Sequence, residues 1–479
     1  MSKLVTVMGF TIHKVLMLGS LSSIAVSNGF LFAQTTGMIK TLQRNDDGLN
    51  LTESDIQWIT STITMTNFLG SALATFTDNM GRRWPLIIFS VAIAVQWIIL
   101  YKAQNIYHFM LSRVIAGIAF GARYCLIIMI TPEYTSPKTR AFFLNIITSV
   151  SPAIGTGLGH YLGNIFHWRT VALIAMFPTL FGIILPYFCA ESPHWLASKG
   201  RFEECEQSFK KIHGNSVKSQ SELQYLIKME KCKMTQAEIT NTRTSKAKLC
   251  LALRKKYFWN LILMSFFIAA YIAATGKAAF TILATNILED MTGTPNTVLQ
   301  NILVDIFILV GTSLSCVLVR KMTMRTVLFS TGYTANAVLV ILSACLYFGA
   351  GVENLRWVNV SLLGVYFILI EAGPSPVLEA LLGEIFPLEI KVYCIFLVGV
   401  MLSTFLSLGL ILFPILTKAI GYSGTFLLNA IIMTTSLVFI KLKLPETKGR
   451  TLQEIEAFFK TNIFDIDEAL SDERKNMLL

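Results

Sequence analysis

Ala74-Thr75-Phe76-Thr77-Asp78-Asn79-Met80-Gly81-Arg82-Arg83 is a short polar turn between two apolar runs, one starting at about Gln57 and the next at about Pro85. One acid, a glycine and two bases fall within six residues, so the turn is tight, charged and wet, whereas both flanks are long enough to be buried. The whole chain repeats that alternation. Of its 479 residues, 53% are hydrophobic and only 14% charged, against about 25% charged in soluble proteins, and the mean hydropathy is +0.59. A bilayer-spanning helix takes about 20 apolar residues. Runs of that length start at about Lys14, Gln57, Pro85, His108, Phe142 and Arg169, and six more at about Tyr257, Gln300, Val327, Trp357, Val392 and Ser423. The expected fold is an all-α membrane protein of twelve spans, built as two pseudo-symmetric six-helix bundles. A soluble enzyme, a nucleic-acid binder and a secreted disulfide scaffold are excluded at this point.

The formal charge of +11 is not evenly spread. Lys and Arg crowd into the polar stretch 191–256 and again after Ile440, while alternate short loops carry few. Basic residues in short loops set membrane orientation. The turns at Arg82, Arg83 and at Lys138, Arg140 are therefore the better witnesses, and both termini are expected to be cytoplasmic. The domains expected are 1–190 (first bundle), 191–256 (cytoplasmic connector), 257–443 (second bundle) and 444–479 (cytoplasmic tail). In the connector, Phe202, Cys205, Phe209 and Ile212, then Leu223, Leu226 and Met229, follow helical spacing and predict short amphipathic helices. All eight cysteines fall in spans or on the cytoplasmic side, so no structural disulfide is expected. The residues before the first span are too few and too polar for a cleavable signal. Asn50-Leu51-Thr52 is a glycosylation sequon in the outer loop between spans one and two.

The halves echo each other. Glu133 stands seven residues before Arg140 at the end of span four, and Glu384 stands seven before Lys391 at the end of span ten. Glu191-Ser192-Pro193-His194-Trp195 closes span six, and Pro445-Glu446-Thr447-Lys448-Gly449-Arg450 closes span twelve. Duplicated motifs at matching places are the trace of a carrier made of two repeats. Asp78, Gly81, Arg82 and Arg83 join Glu133, Arg140, Glu191, Glu384, Lys391, Glu446 and Arg450 as an inner-mouth network whose ion pairs across the cytoplasmic ends of the two halves would hold that side shut. One exposed pair contributes only about 0 to 1 kcal/mol, but several together can bias a two-state rocking equilibrium. The second half carries Arg320-Lys321-Met322-Thr323-Met324-Arg325 where the Asp78 turn repeats, so the acid and the glycine are lost and the first half is expected to do more of the gating.

The Asp78–Arg83 turn resembles the signature loop of the major facilitator superfamily. Arg113 with Gly117 and Gly121, Trp168-Arg169, Glu191-Ser192-Pro193, Gly373-Pro374-Ser375-Pro376 and Pro445-Glu446-Thr447-Lys448-Gly449 narrow the likeness. Together they are similar to the sugar porter family, near the insect facilitated trehalose transporters and the facilitative glucose transporters, over about residues 14–460. Glu191-Ser192-Pro193-His194-Trp195 and Gly200-Arg201 also occur in organic ion transporters. The resemblance implies a sugar held near the bilayer midplane by spans five, seven, ten and eleven. Carried over by position, however, the family's polar residues fall on Ile272, Ala273 and Ala278, on Thr148, on Leu402 and on Glu379. Only Glu371 and the Gly373-Pro374-x-Pro376 break match. Each missing hydrogen bond costs about 0.5 to 1.5 kcal/mol.

Against those losses stand charges inside apolar spans: Arg123, Lys277, Asp305, Glu371 and Glu379. Intramembrane charge is expensive and faces a cavity or a partner. Glu371 and Glu379 are eight residues apart, a little over two turns, and Lys277 is expected to pair with one of them. The candidate substrate-binding residues are thus Glu371, Glu379, Lys277, Thr148, Gly373, Pro374 and Pro376. Gly373, Pro374 and Pro376 also give span ten a hinge. Proton-coupled members of the family carry an Asp where this chain has Thr35, which favours facilitated movement. The reading is a monomeric, facilitative, alternating-access carrier of trehalose, a hexose or a similar small polar solute in the plasma membrane. It is not an enzyme and uses no cofactor, metal or nucleic acid. Two alternatives stay open at this level: a carrier of charged or amphipathic organic solutes, and a non-transporting nutrient sensor.

Overall fold

The computed structural model describes residues 6–7, 10–43, 51–239, 253, 256–280, 287, 297–348, 353–387, 391–461 and 464. Asn50, most of the tail after 461 and the loop after span seven lie outside them. A two-residue antiparallel pairing, Thr6–Val7 with Phe10–Thr11, precedes the first helix. The other described residues are helical or loop.

The first six spans are Ile12–Gln43, Glu53–Phe76, Arg83–Tyr101, Ile106–Tyr134, Arg140–Ile165 and Trp168–Tyr187. The next five begin at Lys256, Thr297, Met324, Glu353 and Lys391, and the helix from Lys391 to Lys443 turns at Gly421 (φ 72°) into the twelfth. Most spans thus start within four residues of the apolar runs. Glu53–Phe76 is rich in Ser and Thr. Its N-terminus is a capping box, with the Asp55 amide donating to the Thr52 hydroxyl and the Thr52 amide to the Asp55 carboxylate. Its hydroxyls are absorbed by the helix itself, for example Thr62 Oγ1 on the Trp58 carbonyl and Thr66 Oγ1 on that of Thr62, so a polar composition still forms a packed span.

Within the first half, span one packs on five and six, two on four, and three on four and six. In the second half, span seven meets eleven through Phe266 and Phe405 and twelve through Phe267 and Phe439, while ten packs on eight and nine. The halves join along two seams, five against eight and two against eleven. Phe177, Phe181, Ile184, Ile341, Ile411 and Ile415 stay exposed on the outer faces, an apolar belt of the kind lipid covers. Three amphipathic helices, Pro193–Ser198, Phe202–His213 and Val217–Ile239, lie at one end, which we call the connector end. They bury Trp195, Cys205, Phe209, Leu223 and Leu226 in a small core of their own.

Spans two and four approach backbone to backbone at small residues, as membrane helices do. A Cβ on Gly121 would lie 2.0 Å from the Asn67 carbonyl oxygen, and one on Gly117 2.0 Å from Thr66 Oγ1. Gly121→Leu is expected to lower stability by about 3 kcal/mol through overpacking, read as a fall in unfolding temperature in detergent; an unchanged transition would contradict this packing.

Candidate functional site

The polar centre forms where two helices lose regular geometry. In span five the turn Ile146–Val150 is a π-helix, a form that concentrates at functional sites, and it carries Thr148. In span ten the helix stops at Ala372, Gly373 takes φ −147° and ψ −71°, and Pro374–Glu384 starts afresh. Gly373 is required there by crowding: a Cβ would sit 2.0 Å from Thr331 Oγ1. Pro374 and Pro376 occupy the first turn of the new helix, where proline costs no hydrogen bond. Glu371 and Glu379 therefore flank the break.

Lys277 Nζ lies 2.9 Å from the Glu371 carboxylate, which is fully buried. Glu379 is buried too, within hydrogen-bonding reach of Thr148 and in electrostatic range of Lys277, Glu371 and Tyr124. Spans seven and ten thus contribute the charges, and spans four and five of the other half close over them. Beside the cluster, Tyr366 donates to the Thr275 carbonyl (2.9 Å). A small void lined by Phe280, Phe367, Phe413 and Phe426 adjoins this contact. All seven residues expected at the centre are gathered around the break, except that Thr148 reaches it from the opposite half.

At the connector end, Glu133 is the hub. Its fully buried carboxylate receives Arg82 Nε at 3.1 Å and the Ser192 hydroxyl at 2.7 Å, with Lys391 Nζ 3.9 Å away. Arg82 also reaches Asp78 (2.9 Å), which Lys199 approaches to 3.0 Å from the other side. Burial pushes the Asp78 carboxyl up, but Arg82 and Lys199 outweigh it and hold the group below the usual range. Glu191 accepts the Arg82 amide at 2.8 Å and pairs with Arg83 at 3.4 Å. Gly81 (φ 91°) must be glycine: its conformation is left-handed and a Cβ would meet Glu191 Oε2 at 2.4 Å.

Glu446 plays the Glu191 part in the second half. It accepts the Met324 and Arg325 amides, each at 3.1 Å. The loop that lost its acid and glycine thus keeps the backbone contact and loses the side-chain one. Most of these pairs lie inside one half, which differs from the expectation of ion pairs spanning both. Few contacts cross: Lys391 to Glu133 and to the Met129 carbonyl (3.2 Å), Arg140 to the Arg450 carbonyl (3.1 Å) and electrostatically to Glu384, and the Arg320 guanidinium over the Phe142 ring (3.7 Å). The Arg450 side chain turns to Glu454 in its own half.

Sequence reasoning missed the partner of Asp305. His160 Nδ1 lies 2.8 Å from its carboxylate across the seam of spans five and eight, and Asn145 donates to Ser315 lower on the same seam (2.7 Å). A lone histidine in an apolar run, with an acid in the span that packs on it, was the signal available. Arg123 donates to the Ile24 carbonyl of span one (2.8 Å).

A family model described as "Sugar (and other) transporter" matches residues 12–459. The chain is 26% identical to the probable metabolite transport protein CsbC of Bacillus subtilis, over 90% of this chain and 92% of that one. It is 23% identical to the facilitated trehalose transporter Tret1 of Polypedilum vanderplanki, over 91% and 87%. Among solved structures, the proton:xylose symporter XylE bound to 6-bromo-6-deoxy-D-glucose superposes with a TM-score of 0.78 at 20% identity, covering 92% of this chain and 99% of that one. The inward open form of XylE from E. coli gives 0.63 at 17% identity, over 93% and 99%. The arrangement is the major facilitator fold.

Two outcomes follow from the hub. Glu133→Gln leaves Lys391 buried without its acid and Arg82 with Asp78 alone and is expected to cost about 3 to 5 kcal/mol, read as a lower unfolding temperature; a change below about 1 kcal/mol would contradict the hub. His194 sits behind Glu133, and burial, only partly opposed by that carboxylate, pushes its imidazole down to about 4. The unfolded chain takes up this proton below about 6.5 while the folded one resists until about 4. Stability present above pH 6.5 is therefore expected to fall as pH drops through that window, and His194→Gln to flatten the fall; identical pH profiles would refute the assignment.

Proposed function

This chain belongs to the Sugar (and other) transporter family, and from that premise we propose that it is a facilitative, alternating-access carrier of a small polyhydroxy solute, trehalose or a hexose. The relatives named as trehalose and sugar transporters support the substrate class. The observation that carries the mechanism is the closed connector end with a separate polar centre above it: Lys391 and Arg140 join the halves below the Glu371, Glu379 and Lys277 cluster. A route through the middle then opens to one face only when the halves tilt. We assign the domains as two bundles, 1–190 and 257–443, with the connector 191–256 and tail 444–479 on the cytoplasmic side. We assign the plasma membrane as the location and the monomer as the working unit. Thr35 where the family's coupled members carry an acid supports uniport.

In this reading Glu371 and Glu379 accept hydrogen bonds from solute hydroxyls, Thr148 contributes from the facing half, and Gly373, Pro374 and Pro376 form the joint at which span ten bends. Lys277 beside two acids also favours a charged organic solute as a second reading. Purified protein in liposomes preloaded with unlabelled sugar is expected to accumulate labelled trehalose or glucose by saturable counterflow, unchanged by a pH gradient. Flux that vanishes without a gradient would overturn uniport. Absence of saturable flux for every sugar would overturn the sugar reading.

A further inference from the structure

Among the described residues the polar centre is one positive charge short: Glu371 and Glu379 supply two carboxylates, and Lys277 is the one ammonium that faces them. Lys277 is committed to Glu371 at 2.9 Å. Glu379 is 8% exposed, and its Oε2 is buried without a hydrogen-bond partner. Thr148 and Tyr124 are the neutral groups beside it. A carboxylate offers about four acceptor positions, and one left open in a membrane interior demands a partner.

The two buried arginines of span four do not fill the deficit. Arg113 donates to Gln34 Oε1 (3.2 Å) and Met38 Sδ (3.2 Å), and Arg123 to the Ile24 carbonyl (2.8 Å), so both point from span four to span one. No carboxylate among the described residues is within ion-pair distance of either. No further cation among the described residues faces Glu379, so a solute bound at this place can supply the charge.

We propose that the preferred solute is an aminated sugar carrying one ammonium group. Its nitrogen pairs with Glu379, and its hydroxyls meet Thr148, Tyr124 and the second oxygen of Glu371. A neutral hexose gives Glu379 only hydroxyl donors, and a uronic acid would bring a third negative charge. This inference rests on the sugar-carrier reading and narrows it. It also accounts for Lys277: pinned to Glu371, that lysine leaves a single acid open, so one cationic group fits and two do not.

The test is counterflow of labelled glucosamine into liposomes at neutral pH, with unlabelled glucosamine, glucose, N-acetylglucosamine and glucuronate as competitors. Glucosamine is expected to compete at about ten-fold lower concentration than glucose or N-acetylglucosamine, with glucuronate weakest, and Glu379→Gln to bring the first three within about two-fold. Glucose keeps the shape without the charge and N-acetylglucosamine keeps the nitrogen without the charge, so the unaltered protein alone can decide the question even if the variant fails to fold. Equal competition by glucosamine and glucose overturns the proposal, including the case in which a proton already neutralises Glu379. If neutral sugars are carried and glucosamine is no better, only this inference falls; if no sugar is carried, the sugar reading itself falls.

Discussion

A buried carboxylate has to be answered by positive charge and hydrogen bonds, and Glu133 sets that condition for the whole connector end. Two chain segments separated widely in sequence, the turn holding Arg82 and the start of the connector at Ser192, are drawn to it, and Lys391 comes from the other half. Breaking one member exposes the rest to an uncompensated charge, so the contacts act together. A group that closes around the acid as a unit and opens to water as a unit is what a two-state carrier needs.

At the connector end, the charged contacts between the halves are few among the described residues. Lys391 stands 3.9 Å from Glu133, and Arg140 holds a backbone carbonyl at 3.1 Å. The closer ion pairs at this end stay inside one half, whereas looser ones join the halves there. Rigid bodies with a weak, charged seam can rock at small cost. A seam as strong as the pairs inside each half would instead lock the chain in one state. The His160–Asp305 contact at 2.8 Å places a further polar joint on the seam of spans five and eight, well away from Glu133 in sequence.

Much of this was legible in the sequence because membrane insertion imposes length and composition. Apolar runs gave the spans to within a few residues, and the duplicated acid-and-base spacing gave the places where charge collects. That Lys277 pairs with Glu371 or Glu379 followed from the cost of isolated charge, and the structure selects Glu371. Spacing cannot say whether a side chain reaches across the seam or folds back, which is why Glu446 and Arg450 turned out to serve their own half. Nor could it show the π turn at Thr148, which arises from packing, or the crowding by Thr331 that makes Gly373 obligatory. The sequon at Asn50 lies outside the described residues.

The central claim is that Lys391 and Arg140 keep the connector end closed over the polar centre. Spin labels on Ser198 in the first half and Lys443 in the second, both at that end, would report its opening by electron-electron distance measurement in liposomes. Lys391→Ala with Arg140→Ala is expected to shift the distribution to longer distances while the protein stays folded. A distribution identical to that of the unaltered chain, with and without sugar, would contradict the account.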